Sequence, residues 1–175
     1  HVTFGDPDFF NGPAHGMAVV RSLHERFPDL TYDVTIKVEH LLRHRGFLAE
    51  LAHTGCLFVT TAVEALDDHS LEILDKGHTR ADFIEAVELA QQAGLTLSPT
   101  FVTFAPWTTL DGYAALLEDI VAFDLVGHVS PVQLAIRLLI PRGSLLIGHP
   151  AMEEALGAFD PNRLSYQWRH VDPRV

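Results

Sequence analysis

The chain has 175 residues, of which 47% are hydrophobic, and a formal net charge of −11. This length and composition are enough to bury the core of one globular domain. The negative charge would repel a phosphate backbone and makes nucleic acid a poor candidate partner. No apolar run is long enough to cross a membrane, and the first residues do not resemble a signal peptide, so we expect a cytoplasmic protein that does not contact a membrane.

Short runs rich in β-branched and aromatic residues recur along the chain, with helical periodicity between them. The runs are HVTF (1–4), LTYDVTI (30–36), CLFVTTA (56–62), LTLSPTFVTF (95–104) and VSPVQLAIRLLI (129–140). Thr79 and Asp82 form a helix-start signal, and Gly55 and Gly94 stand where helices should end. Repeated strand–helix units predict a parallel sheet covered by helices. Because the chain begins inside the first run, we also expect it to be a piece of a longer protein.

Two α/β architectures could hold such units. A doubly wound nucleotide-binding sheet should carry a glycine-rich turn after its first strand, and FGDPDFFNG does not have that pattern. A (β/α) barrel carries polar residues at the carboxyl ends of its strands. Such residues follow each run: Gly5-Asp6-Pro7-Asp8, Lys37-Val38-Glu39, Glu64, Pro106-Trp107-Thr108-Thr109 and Arg137. We therefore predict an α/β fold, a partial (β/α) TIM-type barrel of about five parallel strands with outer helices.

The predicted barrel covers residues 1–147. Residues 148–175 are predicted to belong to the same domain, as a short helix with the pattern PAMEEALGAF followed by a loop-like tail. About five strands do not close a barrel, so both sheet edges would be exposed and could pair with another chain to form a dimer.

Histidine and cysteine give no clear metal site. His40 and His44 stand four residues apart on a predicted helix, a spacing that can hold a metal ion, but Arg43 and Arg45 beside them would repel a cation. We interpret this pair as part of a solvated helix face. The single cysteine, Cys56, begins a predicted strand, whereas the active-site residues of a (β/α) barrel lie at the carboxyl ends of its strands. We interpret Cys56 as a packing residue. No metal ligands are predicted in this chain.

Two strand ends carry acidic residues that are better candidates for a ligand site. Asp6 and Asp8, in GDPDFF, follow an apolar strand and could hold the ammonium group of an amino-acid ligand, or could form a solvated Asp-Pro turn. Further along, Asp67 or Asp68 should cap a short helix, with Lys76 near its C-terminal end and Gly77 directly after it. Glu64 is not explained by helix capping, because a buried strand end gains nothing from a carboxylate. A ligand hydroxyl or cation at the barrel mouth would satisfy it.

Taken in order, several segments resemble the core of the radical S-adenosylmethionine (SAM) superfamily. AVEALDDHSLEILDKGHT resembles the family's stretch G-[IV]-E-S … L … [KR]-G-[HT], with Glu64, Lys76 and Gly77 at matching positions. AELAHTGC and AVELAQQAGL are similar to its joints between helix and strand. The resemblance runs over residues 1–147 and is closest to the cobalamin-associated and methylthiotransferase-like branches.

Three further segments are similar to family motifs but carry changes. TFVTFAPWTTLDGY is similar to F-I-x-G-x-P-G-E-T-x-E, with Trp107 and Thr108 in place of the usual Gly and Glu. LLIPRGSLLI resembles a strand that ends in Pro-Gly-Thr. GDPDFF occupies the position of the family's GGE-type loop and is a variant of it.

The resemblance implies SAM and a [4Fe–4S] cluster as cofactors of the full-length protein. Reductive cleavage of SAM at the cluster would produce a 5′-deoxyadenosyl radical that abstracts hydrogen from a small-molecule or other substrate, with electrons from a separate donor. The cluster needs cysteines in a C-x-x-x-C-x-x-C motif, which residues 1–175 lack. We therefore expect a radical SAM enzyme when the protein is full length, and a fragment that by itself binds neither cofactor and is inactive.

The resemblance also implies roles for individual residues. The residues implied to bind SAM are Gly5, Asp6, Pro7, Asp8, Lys37, Glu64 and Lys76. Among them, the Gly5–Asp8 loop would contact the SAM ammonium, Glu64 the ribose hydroxyls or the amino-acid end, and Lys76 the carboxylate. Gln133 and Arg137, four residues apart and so on one strand face, would lie on the substrate or adenine side. A salt bridge inside the barrel is the alternative for Arg137.

Two other classes of function stay open at this point. A metal-dependent (β/α) barrel hydrolase would bind zinc at some of the 11 histidines and act without iron or SAM. A non-catalytic binding or dimerisation module would lack cluster cysteines in the full-length protein as well. A C-x-x-x-C-x-x-C motif upstream of His1 would favour the radical SAM interpretation over both.

Overall fold

A four-stranded parallel sheet forms the centre of the molecule in the computed structural model, which describes residues 1–170 and 172–175. Its strands, in spatial order, are β1 (Val2–Thr3), β2 (Tyr32–Thr35), β3 (Cys56–Glu64) and β4 (Thr96–Phe101). The helices are α1 (Pro13–Arg26), α2 (Val38–Arg43), α3 (Leu48–His53), α4 (Asp68–Ile73), α5 (Arg80–Gln92) and α6 (Leu110–Ala122). Spatial order equals chain order, which is the winding of a barrel wall, whereas a doubly wound sheet reverses its order at a switch point. The predicted α/β class with outer helices is confirmed.

The two faces of this sheet differ in burial, because successive side chains of a strand point to opposite sides. One face is fully buried, and its residues Val34, Val59, Leu97 and Phe101 join buried side chains of the surrounding helices in the main hydrophobic core. The other face carries hydroxyl side chains that are only half-buried. Thr35, Thr60 and Ser98 lie side by side there, since the strand register pairs them in one row. The helices therefore cover one face of the sheet and leave a polar face beside it.

The helix boundaries expected from local signals are present. Thr79 caps α5, accepting a hydrogen bond from the backbone N–H of Asp82, whose carboxylate accepts one from the Thr79 N–H in return. Gly55 has φ of 100° and ends the turn after α3, and Gly94 has φ of 73° after α5. A Cβ atom at Gly55 would lie 2.5 Å from the carbonyl oxygen of Leu30, so this joint needs glycine for space as well as for conformation.

The fifth predicted strand, 129–140, is not formed as a continuous strand. Pro131–Ala135 is a 3-10 helix, and Arg137 pairs with Phe104 by a single parallel bridge. Pro131 favours a helical first turn, because its φ is fixed and it has no N–H to give to a sheet. The Gln133 side chain replaces one hydrogen bond that a fifth strand would make to β4, since its Oε1 accepts from the Phe101 N–H at 3.1 Å. Gln133 and Arg137 therefore do not share a strand face, which corrects that prediction.

A second, antiparallel sheet forms the C-terminal part of the chain. Its strands are β5 (Ile140–Pro141), β6 (Leu156–Asp160) and β7 (Ser165–Trp168), in the spatial order β5-β7-β6. The helix predicted from PAMEEALGAF is wrong apart from a 3-10 turn at Pro150–Met152, and the tail predicted as loop contains β7. The reason is packing: Ile140, Met152 and Trp168 bury one another in a small second core that the sheet encloses. The division of the chain at residue 147 stays a prediction.

None of the helices in the described part of the chain combines the length and the apolar character that a bilayer crossing requires.

Candidate functional site

Glu64, the last residue of β3, has a left-handed backbone conformation with φ of 71°. This conformation is rare for a residue with a side chain and costs about 1–3 kcal/mol, so it persists only where the surroundings impose it. The pairing of β3 with β4 shifts between Ala62 and Glu64, and the Glu64 carbonyl accepts a hydrogen bond from the Val102 N–H at 2.9 Å. The strand is thus bent at its tip, where the sequence predicts a functional carboxylate.

Lys76 is the direct partner of Glu64. Its Nζ lies 3.2 Å from Glu64 Oε1, and the two side chains are 26% and 24% exposed. The structure therefore brings together two of the residues predicted to bind SAM. A carboxylate can accept several hydrogen bonds and an ammonium group can donate three, so this single contact leaves both groups able to bind a ligand as well.

The loop that carries Lys76 begins where α4 ends. The Lys76 N–H donates to the Leu71 carbonyl and the Asp75 N–H to the Glu72 carbonyl, each at 3.0 Å, while Asp75 has φ of 50°. This is the Schellman arrangement, and its left-handed residue is Asp75. The prediction that Gly77 ends this helix is therefore wrong.

Gly77 instead allows a close approach to Glu39. A Cβ atom at Gly77 would lie 3.0 Å from Glu39 Oε2 and 3.3 Å from its Cδ. Glu39 also contacts Lys37, whose Nζ lies 3.9 Å from Glu39 Oε1 and whose side chain is 58% exposed. Glu39 thus links Lys37 to the loop that carries Lys76, and sequence reasoning did not select it. Its position just after β2, among the other polar strand-end residues, was the available signal.

The Gly5–Asp8 loop is held largely by contacts within the protein. The Asp6 carboxylate accepts a hydrogen bond from the Asp8 N–H at 2.9 Å. The Asp8 side chain is buried: Oδ1 accepts a long hydrogen bond from the Lys37 N–H at 3.4 Å, and Oδ2 lies 2.7 Å from His40 Nδ1. That last contact has ion-pair distance without the alignment of a hydrogen bond. His40 is consequently not on a solvated helix face, and that interpretation is corrected; the role of this loop in binding an ammonium group stays a prediction.

A cavity of about 310 Å³ opens beside Glu64, between α4 and α6. Its wall includes Trp107 and Thr108, the two positions that depart from the family pattern. Trp107 Nε1 donates to Ser70 Oγ at 2.9 Å and ties the wall to α4, while Thr108 Oγ1 accepts from the Ala105 N–H at 2.9 Å. Trp107 and Thr108 therefore hold the wall of the cavity in place.

Gln133 and Arg137 are engaged with the protein itself. Gln133 caps the exposed N–H of Phe101, as described above. Arg137 places its guanidinium 3.6 Å from the centre of the Trp168 ring and donates from Nη2 to the Trp168 carbonyl at 2.6 Å. Across residues 1–170 and 172–175, Arg137 forms no salt bridge, so the alternative of an internal salt bridge is not realised. The placing of both residues on the substrate or adenine side stays a prediction.

The described residues offer no set of cluster or metal ligands. Within them, no group of three histidine, cysteine or acidic side chains comes close enough to hold a metal ion. Cys56 is buried at the start of β3, whereas Glu64 ends that strand, and burial raises the pKa of its thiol to about 12. A thiolate ligand is therefore disfavoured at this position, and residues 1–175 do not fit a [4Fe–4S] cluster.

The fold matches solved structures of radical SAM enzymes. The cobalamin-dependent SAM radical enzyme OxsB, with aqua-cobalamin and SAM bound, superposes with a TM-score of 0.76 at 17% identity, over 98% of this chain and 32% of that one. TsrM from Kitasatospora setae, a radical SAM methyltransferase with cobalamin and a [4Fe–4S] cluster bound, gives 0.57 at 20% identity, over 70% and 24%. Methylornithine synthase (PylB) gives 0.55 at 18% identity, over 71% and 36%.

These likenesses establish the fold of this chain. It is a partial β/α barrel like that of these radical SAM enzymes, and this fold was predicted from the sequence motifs. The chain spans about a third of the length of OxsB, at 32%. No family model matches the sequence, and no curated protein matches it.

Proposed function

We propose that residues 1–175 belong to a radical SAM enzyme and form the part of its barrel wall that binds SAM. One observation carries this proposal. On a sheet with the radical SAM core fold, the carboxyl end of β3 holds Glu64 in a strained left-handed conformation, 3.2 Å from Lys76. Backbone strain of this kind is concentrated at ligand sites, where the surrounding structure maintains it.

The paired side chains suit the two ends of SAM. One N–H of Lys76 can stay on Glu64 while another meets the SAM carboxylate. The remaining acceptor positions of Glu64 suit ribose hydroxyls or the SAM ammonium. Lys37 and the Gly5–Asp8 loop would complete the amino-acid end of the site, and Gln133 and Arg137 would lie toward the adenine or the substrate.

The complete enzyme would cleave SAM reductively at a [4Fe–4S] cluster to begin radical chemistry on a substrate that we leave unassigned. The ligands of that cluster would have to come from outside residues 1–175, because Cys56 is the single cysteine of the chain. We propose accordingly that the isolated chain is inactive. A cytoplasmic location, an electron donor, a small-molecule or other non-nucleic-acid substrate and a dimer formed through sheet edges complete the proposal.

The test is SAM binding to the full-length protein, measured by isothermal titration calorimetry under anaerobic conditions. Glu64→Gln should weaken SAM binding by at least about tenfold, the loss expected for a charge-assisted hydrogen bond. Glu72→Gln is the matched control, because Glu72 lies nearby on α4 but is exposed. Equal affinities of the Glu64→Gln variant and the wild type would contradict the assigned site. A full-length protein that binds no SAM would contradict the proposed function.

A further inference from the structure

Glu39 is a half-buried acidic residue in the first turn of α2, just after the carboxyl end of β2. Strands β2 and β3 are neighbouring and parallel, and their register pairs Thr35 with Thr60. The chain therefore leaves both strands at the same edge of the sheet. Glu39 lies at the edge that also carries Glu64, the last residue of β3.

Gly77 provides the space beside which the Glu39 carboxylate lies. The backbone of Gly77 is not left-handed, so the conformation of the chain does not require glycine there. A Cβ atom at this position would lie 3.0 Å from Glu39 Oε2, so the missing side chain is what admits the carboxylate. Gly77 directly follows Lys76, whose Nζ lies 3.2 Å from Glu64 Oε1. The Glu39 carboxylate is therefore held against the loop that carries the Glu64–Lys76 pair.

The Glu39 carboxylate has acceptor positions to spare. Among residues 1–170 and 172–175 it accepts no hydrogen bond, and the Lys37 Nζ lies 3.9 Å from its Oε1, beyond hydrogen-bond distance. The Lys37 and Glu39 side chains are 58% and 35% exposed, and ion pairs of this kind contribute little to stability. An ionised carboxylate can accept about four hydrogen bonds. A ligand N–H can consequently bind Glu39 without breaking a strong contact of the protein.

The carboxylates of the Gly5–Asp8 loop are already engaged within the protein. Asp8 is 6% exposed and accepts the Lys37 N–H, while its second oxygen lies beside an imidazole nitrogen of α2. The Asp6 carboxylate accepts the Asp8 N–H at 2.9 Å. Glu39 differs from both because its carboxylate is partly exposed and carries no hydrogen bond. It is the better acceptor for a ligand amino group at this edge of the sheet.

We propose that Glu39 binds the amino group of SAM. This inference rests on the proposed function and adds to it a residue that distinguishes ligands with an amino group from those without one. Lys76 would meet the carboxylate of the same amino-acid end, so the two groups of that end face side chains of opposite charge on neighbouring segments. The amino group takes the place of the distant Lys37 ammonium on Glu39, and the Gly5–Asp8 loop contributes backbone carbonyls.

The experiment measures the coupling between residue 39 and the SAM amino group in the full-length protein. Dissociation constants are determined anaerobically by calorimetry for SAM, and by competition against SAM for des-amino SAM, in which hydrogen replaces the amino group. The variant is Glu39→Gln, because glutamine keeps the shape of the side chain beside Gly77 and removes its charge. Glu25→Gln, at an exposed position of α1, is the matched control. Circular dichroism verifies that each variant is folded.

The expected result is a selective loss. Glu39→Gln should weaken SAM binding by at least about tenfold, the loss expected for a charge-assisted hydrogen bond. It should change the affinity for des-amino SAM by less than about twofold, because that ligand has no group for Glu39 to bind. Decarboxylated SAM keeps the amino group and should lose affinity as SAM does. Glu25→Gln should change none of the three affinities.

Three results would overturn the inference while leaving SAM binding, and with it the proposed function, intact. The first is an equal effect of Glu39→Gln on SAM and des-amino SAM, including no effect on either. The second is a selective loss caused by Asp6→Asn and not by Glu39→Gln, which would place the amino group at the Gly5–Asp8 loop. The third is the same selective loss in Lys37→Gln, which would mean that Glu39 acts only by holding Lys37.

A different result would remove the basis of the inference. A wild-type full-length protein that binds no SAM would overturn the proposed function and the role of Glu39 together.

Discussion

Asp8 and His40 are in contact across two different elements, with 2.7 Å between Asp8 Oδ2 and His40 Nδ1. The side chains are 8% and 12% exposed, so the contact is shielded from water. It joins the loop after β1 to helix α2, and Asp8 Oδ1 also accepts a long hydrogen bond from the N–H of Lys37, the residue before that helix. The carboxylate that the sequence offers as a ligand group is thus first a structural link between two strand ends.

Removal of this charge should destabilise the protein. Asp8→Asn is expected to lower the free energy of unfolding by about 1–3 kcal/mol, because it replaces the buried carboxylate beside His40 Nδ1 with an uncharged amide. Urea unfolding followed by circular dichroism measures the change. Asp29→Asn, at an exposed aspartate, should change stability by less than about 0.5 kcal/mol. Equal effects of the two substitutions would mean that the Asp8–His40 contact contributes nothing.

Two substitutions of Glu64 should differ in stability but should weaken SAM binding alike. Glu64→Gly and Glu64→Ala both remove the ion pair with Lys76, but only glycine relieves the left-handed backbone. The glycine variant should therefore be more stable than the alanine variant by about 1 kcal/mol, while both bind SAM weakly. Thermal unfolding of the two variants side by side gives the difference. An alanine variant as stable as the glycine variant would argue against strain at this position.

Gly77→Ala should be costly only while Glu39 is present. The new Cβ would press on the Glu39 carboxylate, at 3.0 Å from Oε2, and we expect a loss of about 1 kcal/mol. In a Glu39→Ala background the same substitution should cost less than half of that, since the obstructing atoms are gone. A double-mutant cycle on unfolding free energies isolates this coupling. Additive effects would show that the close approach is not a constraint.

Arg137 should connect the two sheets through Trp168. Arg137→Lys keeps the charge but loses the planar stacking over the indole ring and the aligned donor to the Trp168 carbonyl, so we expect a loss of about 0.5–2 kcal/mol. Amide hydrogen exchange should accelerate in β5 and β7, and much less in β2 and β3. A uniform acceleration across both sheets would instead indicate a single cooperative unit.

Cys56 should be unreactive in the folded protein. Its thiol is buried and its pKa is raised to about 12, so the reactive thiolate is scarce at pH 8. Iodoacetamide should modify Cys56 only after urea unfolds the protein, which mass spectrometry can follow. Rapid modification under native conditions would contradict the burial of this strand start.

The parts of the fold that sequence reasoning predicted depend on local or periodic signals. The capping box of Thr79 and Asp82 is contained within four consecutive residues, and the alternation along β3 repeats the same pattern several times. The parallel order of the strands follows from the βα spacing. Glu64 could be selected because no local structure explained its charge.

The errors occurred where distant contacts decide the structure. His40 has the sequence pattern of a solvated helix, but Asp8, from another element, buries it. The strand expected at 129–140 is replaced because a side chain, Gln133, satisfies the edge of β4. The C-terminal strands depend on the small core around Trp168, whose members are scattered in the sequence.

The conformation of Glu64 limits which residues can occupy this position. A library randomised at codon 64 and selected only for a folded product should be enriched in glycine, asparagine and aspartate, the residues that tolerate a left-handed backbone. The same library selected for SAM binding should instead return acidic residues. Aspartate alone belongs to both groups, but its shorter side chain would have to reach Lys76. Glutamate should therefore be favoured by the selection for SAM binding and disfavoured by the selection for folding alone.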